Sequence, residues 1–152
     1  MLSNRAKYAT RAILELTFRY GEDPIQAQDI ATRQRIPLKF LEQILLTLRR
    51  HGLVQSRKGP GGGYTLARPP HEVSLAEVVR SIDGSLAPVP CVEGVSCEDC
   101  GCPYPDGCGL QQTWQEAHLA LSAVLEGTSF AEIRDRHERL TAHSREVPNY
   151  VI

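Results

Sequence analysis

The sequence predicts a mostly α-helical fold: a winged helix-turn-helix with a two-stranded wing, a cysteine-rich loop and a long dimerisation helix. Three observations predict it. Apolar residues recur at three- and four-residue spacing over most of the chain. A glycine-rich basic segment, residues 57–63, separates two short runs of β-forming residues, and all five cysteines lie within residues 91–108. With 152 residues, 41% of them hydrophobic, the chain is long enough to form a domain with its own core.

The charge of the chain changes sign along its length. Residues 1–70 hold 12 Lys+Arg and 5 Asp+Glu, a net charge of +7, whereas residues 71–152 hold 5 and 13, a net charge of −8. A basic first half suits a polyanion such as DNA, although a charged surface without a partner fits the charge equally well. We divide the chain into a winged helix-turn-helix (1–84), a cysteine-rich loop (85–108), a dimerisation helix with a final helix (109–140) and a flexible tail (141–152).

Three helices are predicted before the wing. Ser3 can cap a first helix that runs to about Tyr20 and stops at Gly21. A short second helix covers about residues 27–34, and Pro37 then starts a third helix. The apolar stripe of the third helix leaves polar side chains exposed on its other side. Two helices around a tight turn are typical of a helix-turn-helix, although any small helical bundle can show this pattern.

The wing makes the prediction sharper. Arg57 and Lys58 lie at the tip of a predicted hairpin whose turn is Gly-Pro-Gly-Gly-Gly. Glycines allow the backbone to approach phosphates closely, and the two cations can enter a narrow minor groove. A nucleotide-binding loop would need Gly-Lys-Ser/Thr opening a helix, and here Gly63 leads into Tyr-Thr-Leu. A purely structural hairpin remains the alternative to DNA contact.

A capping box at residues 74–77 opens a fourth helix, which ends at Gly84. The loop that follows has the cysteine spacing Cys-x5-Cys-x2-Cys-x-Cys-x5-Cys and contains many glycines and prolines. It has too few apolar side chains to form a core, and clustered thiolates suit a soft metal centre. An odd number of cysteines argues against a disulfide framework. With no signal peptide and no apolar run of membrane-spanning length, we expect a cytoplasmic protein that has no membrane partner.

A long helix is predicted from about Leu110 to Glu126. Its apolar residues follow a heptad-like pattern, and a second copy of the chain is the expected partner, with burial inside one subunit as the alternative. These seam residues are Leu110, Trp114, Ala117, Leu121 and Val124. A second capping box at residues 129–132 opens a final helix to about Leu140.

With these features in place, the chain resembles the bacterial winged-helix regulator family of IscR, NsrR and CymR. The resemblance covers residues 1 to about 135. It implies a homodimer on a palindromic operator in double-stranded DNA, with the third helix in the major groove and the wing in the minor groove. It places the base- and groove-reading positions at Lys39, Phe40, Glu42, Lys58 and Gly59, of which Lys39 and Lys58 depart from the family's serine and arginine. The matching segments are residues 3–9, Phe40-Leu41-Glu42-Gln43, and Leu53-Val54 followed by residues 59–64.

Members of this family that bind iron–sulfur clusters hold them through three cysteines in the corresponding loop, which implies Cys91, Cys97 and Cys108 as metal ligands here. The family's fourth ligand is a histidine or an aspartate at positions occupied by Gln111 and Lys7 in this chain. Cys100 is therefore the expected fourth ligand, with His118 less favoured. The nuclearity of the cluster is left open.

We therefore predict a transcriptional regulator, acting as a repressor, that senses redox state, nitric oxide or iron–sulfur status through this cluster. A metal-free thiol switch, with Cys100 or Cys102 as resolving thiol, is one alternative. A zinc-stabilised structural module using the Cys97-x2-Cys100 spacing is another. The five histidines are scattered and suggest no catalytic constellation, so an enzyme is not expected.

Overall fold

The computed structural model describes residues 2–94, 96, 99, 101–103 and 108–146. Within these residues it shows a mostly helical fold with a two-stranded antiparallel sheet, as predicted. The elements follow in this order: α1 (Asn4–Phe18), α2 (Ala27–Gln34), α3 (Leu38–Arg50), β1 (Val54–Arg57), β2 (Gly63–Leu66), α4 (Leu75–Asp83), α5 (Gly109–Glu126) and α6 (Phe130–Glu146). Short 3-10 turns cover Pro70–Glu72 and Pro90–Glu93.

Helix α1 begins as predicted, because the Ser3 hydroxyl accepts a hydrogen bond from the backbone N–H of Ala6 at 3.0 Å. It ends at Phe18, two residues before the predicted end at Tyr20, and the chain turns at Gly21 with a φ of 88°. The inner face of α1 packs against α2, α3 and α4. The main core is formed by apolar side chains from these helices and from the wing, among them Ile13, Leu16, Ile30, Leu41, Leu45, Leu48 and Leu53.

The helix-turn-helix is formed by α2 and α3. Arg35 ends α2 in the left-handed region, with a φ of 52°. Its neighbour Ile36 is buried, and its N–H donates to the carbonyl of Ala31 at 2.9 Å. The turn therefore brings an apolar anchor back into the core just before Pro37 starts α3.

The wing is a hairpin in which Val54 pairs with Leu66 and Arg57 with Gly63. It is attached to the helices by a third extended segment. The N–H of Tyr64 donates to the carbonyl of Ile25 at 2.8 Å, and the N–H of Ile25 donates to the carbonyl of Tyr64 at 3.0 Å. This bridge fixes the wing beside the start of α2.

The second half of the chain packs on the winged helix. Phe130, at the start of α6, is 1% exposed and belongs to the main core. The N–H of Phe130 donates to the carbonyl of Val73, and the N–H of Leu75 donates to the carbonyl of Thr128, both at 2.9 Å. The core thus crosses the predicted boundary between residues 1–84 and 109–140.

A smaller apolar cluster lies on another side of α4. It joins Ala6 of α1, Ala76 and Val79 of α4, Leu86 at the entrance of the cysteine loop and Leu125 of α5. The loop entrance and the end of α5 are therefore attached to the winged helix through the same small core.

Between the wing and α4 lies the 3-10 turn Pro70–Glu72, in which Glu72 and Val73 donate to the carbonyls of Pro69 and Pro70. The predicted end of the last helix changes. Helix α6 continues to Glu146 instead of ending near Leu140, so the first part of the predicted flexible tail is helical. The rest of that tail, 147–152, lies outside the described residues. No helix in the described part of the chain has the length and apolarity needed to cross a membrane.

Candidate nucleic-acid interface and cysteine site

The first turn of α3 presents three of the predicted DNA-reading side chains to solvent. Lys39, Phe40 and Glu42 are all exposed, and Phe40 is 39% exposed. Leu41 and Leu45 on the opposite side of the helix are fully buried. The helix is therefore held by its apolar face and leaves its polar face accessible. Base reading by these residues stays a prediction.

The wing tip carries the other predicted DNA contacts. Arg57, Lys58 and Gly59 are exposed, and neither cation has a hydrogen-bond or ion-pair partner among the described residues. The turn is tight: Gly59 has a φ of 91°, and its carbonyl accepts a hydrogen bond from the N–H of Gly62 at 2.9 Å. Two unpartnered cations on a rigid turn suit contact with phosphates.

A polar contact joins the two candidate DNA-binding elements. Arg49, in the last turn of α3, donates through Nη1 to the hydroxyl of Ser56 on β1 at 3.0 Å. Together with the Ile25–Tyr64 bridge, this contact limits the movement of the wing relative to α3. The helix and the wing are therefore presented as one surface.

Cys91 and Cys108 both belong to segments that lie at the start of α5. Cys91 lies in the 3-10 turn Pro90–Glu93, which packs against α5, and Cys108 is the residue that precedes α5. Gln111, three residues after Cys108, donates through Nε2 to the carbonyl of Cys91 at 3.1 Å. The sequence identified Gln111 only as a position where a family ligand is missing. The structure gives it a role in holding the Cys91 segment against the helix.

The five cysteines divide into two groups. Cys91, Cys102 and Cys108 are all partly buried thiols. Cys97, the remaining predicted ligand, and Cys100, the expected fourth ligand, lie outside the described residues. Among the described residues, no group of three or more His, Cys, Asp or Glu side chains is close enough to bind a metal.

His118 faces the inside of the subunit. Its Nδ1 is buried and lacks a hydrogen-bond partner among the described residues, as does the hydroxyl of Ser122 one turn later. Ten residues of helix separate His118 from Cys108, which is about 15 Å along the axis at 1.5 Å per residue. The structure therefore does not place His118 at the start of α5, where the segments of Cys91 and Cys108 lie.

The predicted seam on α5 is not covered within the subunit. Leu110, Trp114, Leu121 and Val124 are 70%, 43%, 44% and 65% exposed. In the described part of the chain these four side chains are exposed, so they are not buried inside one subunit, which was the alternative from the sequence. Leu121 also lines a groove of about 470 Å³ formed by Leu2, Ser3, Asp83, Ser85, Leu86, Ala87 and Pro88.

The groove lies at a junction that the sequence did not reveal. Asp83, the last residue of α4, accepts hydrogen bonds from the N–H of Ser3 at 2.9 Å and from its hydroxyl at 2.5 Å. The capping residue of α1 is thus held by the carboxylate that precedes the cysteine loop. Sequence spacing could not indicate this pair, because 80 residues separate its members.

Comparison with known proteins agrees with this arrangement. Residues 2–136 match the model of the Rrf2 family, described as an iron-dependent transcriptional regulator. A helix-turn-helix transcriptional regulator of Rhodobacter capsulatus, named rrf2-like, is 36% identical over 137 residues, covering 88% of this chain and 91% of its own length. The transcriptional regulator IscR of Photorhabdus laumondii is 33% identical over 145 residues, covering 95% of this chain and 85% of its own length.

Solved structures show the same similarity. IscR of T. potens superposes with a TM-score of 0.75 at 26% identity, covering 99% of this chain and 94% of its own. CymR, the global cysteine regulator of B. subtilis, superposes with a TM-score of 0.74 at 25% identity, covering 90% of this chain and 97% of its own. The relatives named here are regulators and none is an enzyme.

Proposed function

Because the chain belongs to the Rrf2 family of transcriptional regulators, we propose that it is a repressor that binds a palindromic operator as a homodimer. We further propose that a cysteine-ligated iron–sulfur cluster controls this binding in response to redox state, nitric oxide or iron–sulfur supply. The observation that supports the second proposal is the hydrogen bond from Gln111 to the backbone carbonyl of Cys91, which holds the Cys91 segment beside the start of α5, directly after Cys108.

The DNA-binding part rests on α3 and the wing. In a winged helix, the second helix of the helix-turn-helix enters the major groove and the wing follows the neighbouring minor groove. Lys39, Phe40 and Glu42 are exposed on the first turns of α3, where base edges are read. Arg57, Lys58 and Gly59 are exposed at the wing tip, where they can contact phosphates.

The homodimer rests on the uncovered face of α5. Four large apolar side chains along one side of this helix are more than 40% exposed, and Leu121 continues into the groove beside Asp83. A contiguous apolar stripe of this kind marks an interaction surface. A second copy can cover it symmetrically, which also places two recognition helices for the two halves of a palindrome.

The residues present fit an iron–sulfur cluster. Cysteine thiolates are the ligands that such clusters use, and two of the three expected ligands, both partly buried, belong to segments at the first turn of a helix of 18 residues. The N-terminal end of this helix carries partial positive charge, which stabilises thiolate ligands near Cys108. When bound, the cluster supplies a centre that oxidation, nitric oxide or iron shortage can alter or remove.

Cys91, Cys97 and Cys108 are the proposed ligands, and Cys100 is the proposed fourth. His118 is the weaker alternative, because it lies about 15 Å along α5 from Cys108 and its Nδ1 faces the inside of its own subunit. Cys102 is not needed in this ligand set.

Single alanine substitutions at all five cysteines test the proposal. The variants are purified anaerobically and assayed for iron, acid-labile sulfide and zinc. We expect loss of iron and sulfide at Cys91, Cys97 and Cys108, partial loss at Cys100 and little change at Cys102, which serves as the matched control. Full retention of the cluster in Cys91→Ala or Cys108→Ala would overturn the ligand assignment.

The same assays separate the alternatives. Zinc without sulfide would indicate the zinc-stabilised module, and neither metal nor sulfide would indicate the thiol switch. Operator binding is then measured with and without the cluster at a fixed salt concentration, since affinity for DNA depends strongly on salt. Equal affinities of the two forms would remove the cluster as the controlling element.

A further inference from the structure

Two aromatic rings and a guanidinium form a stack behind the first turn of α3. The ring of Tyr8, on α1, meets the ring of Phe40 with a centroid distance of 5.8 Å and an interplanar angle of 87°. This is the edge-to-face arrangement that aromatic pairs prefer. The guanidinium carbon of Arg11 lies over the Tyr8 ring, 5.8 Å from its centroid.

Arg11 is itself fixed to the helix-turn-helix. Its Nε donates to Oε1 of Gln34 at 3.3 Å, and its Nη2 donates to the carbonyl oxygen of Gln34. Gln34 is the last residue of α2, and its Nε2 donates to the buried carboxylate of Glu15 on α1 at 2.9 Å. The stack therefore connects α1, the end of α2 and the start of α3 across the turn.

The exposed part of Phe40 can read only one kind of feature in DNA. A phenyl ring has neither a donor nor an acceptor for hydrogen bonds with base edges. In the major groove, the one apolar group that distinguishes a base is the C5-methyl group of thymine. With 39% of its surface exposed on the first turn of α3, Phe40 is placed for such a contact.

We propose that Tyr8 is a positioning residue that holds the Phe40 ring for contact with a thymine methyl group in the operator. The inference rests on the proposed binding of α3 to DNA. A ring supported from behind by Tyr8 needs no further ordering when DNA binds, whereas an unsupported ring would have to be immobilised at that moment. Sequence discrimination then depends on a residue of α1 that does not itself contact a base.

The test measures recognition of the methyl group directly. An operator is selected from random duplex DNA with the wild-type protein, and each thymine is replaced in turn by deoxyuridine, which lacks the methyl group. For the wild type we expect about a fourfold loss of affinity at one thymine in each half-site, the effect of burying one methyl group. The ratio of the affinity for the thymine operator to the affinity for the deoxyuridine operator measures recognition of the methyl group. In Tyr8→Leu this ratio should fall towards one. In Tyr8→Phe, which keeps the ring, the ratio should remain at the wild-type value.

Two further variants keep the test decisive. Tyr20→Leu makes the same change at a tyrosine that is 46% exposed beyond the end of α1, and it should retain the wild-type ratio. Arg11→Gln leaves both rings in place at an exposed position but removes the support behind Tyr8, and it should lower the ratio partly. Arg11→Gln therefore tests the positioning role of Tyr8 even if Tyr8→Leu does not fold, as loss of cooperative unfolding would show.

The outcomes separate the inference from the proposed function. If Phe40→Leu abolishes the ratio while Tyr8→Leu and Arg11→Gln keep it, Phe40 reads the methyl group without help and the positioning role is overturned. If no thymine shows a ratio with the wild type, methyl reading is overturned. If the wild type selects no operator, the proposed DNA binding fails, and the inference fails with it.

Discussion

Gly63 is the position at which a single added methyl group should displace the wing. It begins β2 with a φ of 150°, a conformation that side-chain-bearing residues rarely adopt. A Cβ at this position would lie 2.4 Å from the carbonyl oxygen of Ile25, 2.5 Å from its carbonyl carbon and 3.0 Å from the nitrogen of Gln26. These are backbone atoms, so the clash in Gly63→Ala cannot be relieved by a side-chain rotation.

The expected loss of stability in Gly63→Ala comes from the hydrogen bonds that break when β2 moves and from the unfavourable backbone conformation. Moving β2 away from Ile25 breaks the two hydrogen bonds between Tyr64 and Ile25, at about 1 kcal/mol each. The unfavourable backbone conformation adds about 1–3 kcal/mol. We therefore expect Gly63→Ala to lower the free energy of unfolding by roughly 3–5 kcal/mol, a fall of roughly 6–20 °C in Tm for a chain of this size.

The assay is thermal and urea unfolding followed by circular dichroism at one protein concentration, because the stability of any oligomer depends on concentration. The matched control is Gly61→Ala. Gly61 has a φ of 73°, but its Cβ would have no neighbour within 4 Å, so only the conformational cost of about 1 kcal/mol applies. Equal costs for the two variants would refute the clash with Ile25 as the reason for glycine at position 63.

Two other predictions concern the interfaces. The double variant Arg57→Ala, Lys58→Ala should weaken operator binding. It should also reduce the slope of log affinity against log salt by about 2, because each lost phosphate contact removes nearly one unit. An unchanged slope would show that the wing does not contact the DNA phosphates. Leu121→Glu should give monomers in sedimentation, because a buried charge costs on the order of 3 kcal/mol or more at the seam. Leu119→Glu, on the same helix but off the seam, should remain dimeric, and a dimeric Leu121→Glu would place the interface elsewhere.

The helices and the wing were predictable because their signals are local. Ser3 and Ser74 accept the capping hydrogen bonds that their sequence positions indicate. The apolar stripes of α1 and α3 are buried as their periodicity predicts. Helix ends were less predictable: α6 has no glycine or proline near Leu140 to stop it, and it continues to Glu146.

Contacts between distant elements could not be read from the sequence. The sequence predicted that α5 ends near Glu126 and that a capping box at residues 129–132 opens α6. It did not predict that this corner docks Phe130 into the winged-helix core. The backbone partner of Phe130 is Val73, which lies 57 residues earlier in the chain. The same holds for Tyr8 and Phe40, which are 32 positions apart. Periodicity shows that a residue belongs to an inner or an outer face, but not which element covers it.

The cysteine site depends both on a local sequence signal and on contacts between distant elements. The spacing of the five cysteines suggests a soft metal centre but does not say which thiols lie together, because a glycine-rich loop has many possible paths. The fold limits the path of the segments that carry Cys91 and Cys108, since the loop entrance is tied to the small core through Leu86 and Gln111 holds the Cys91 carbonyl beside α5. A metal centre that binds both thiols would then order less of the backbone, which lowers the entropy cost of binding. For this reason we expect removal of Cys91 or Cys108 to cost more of the cluster than removal of Cys100.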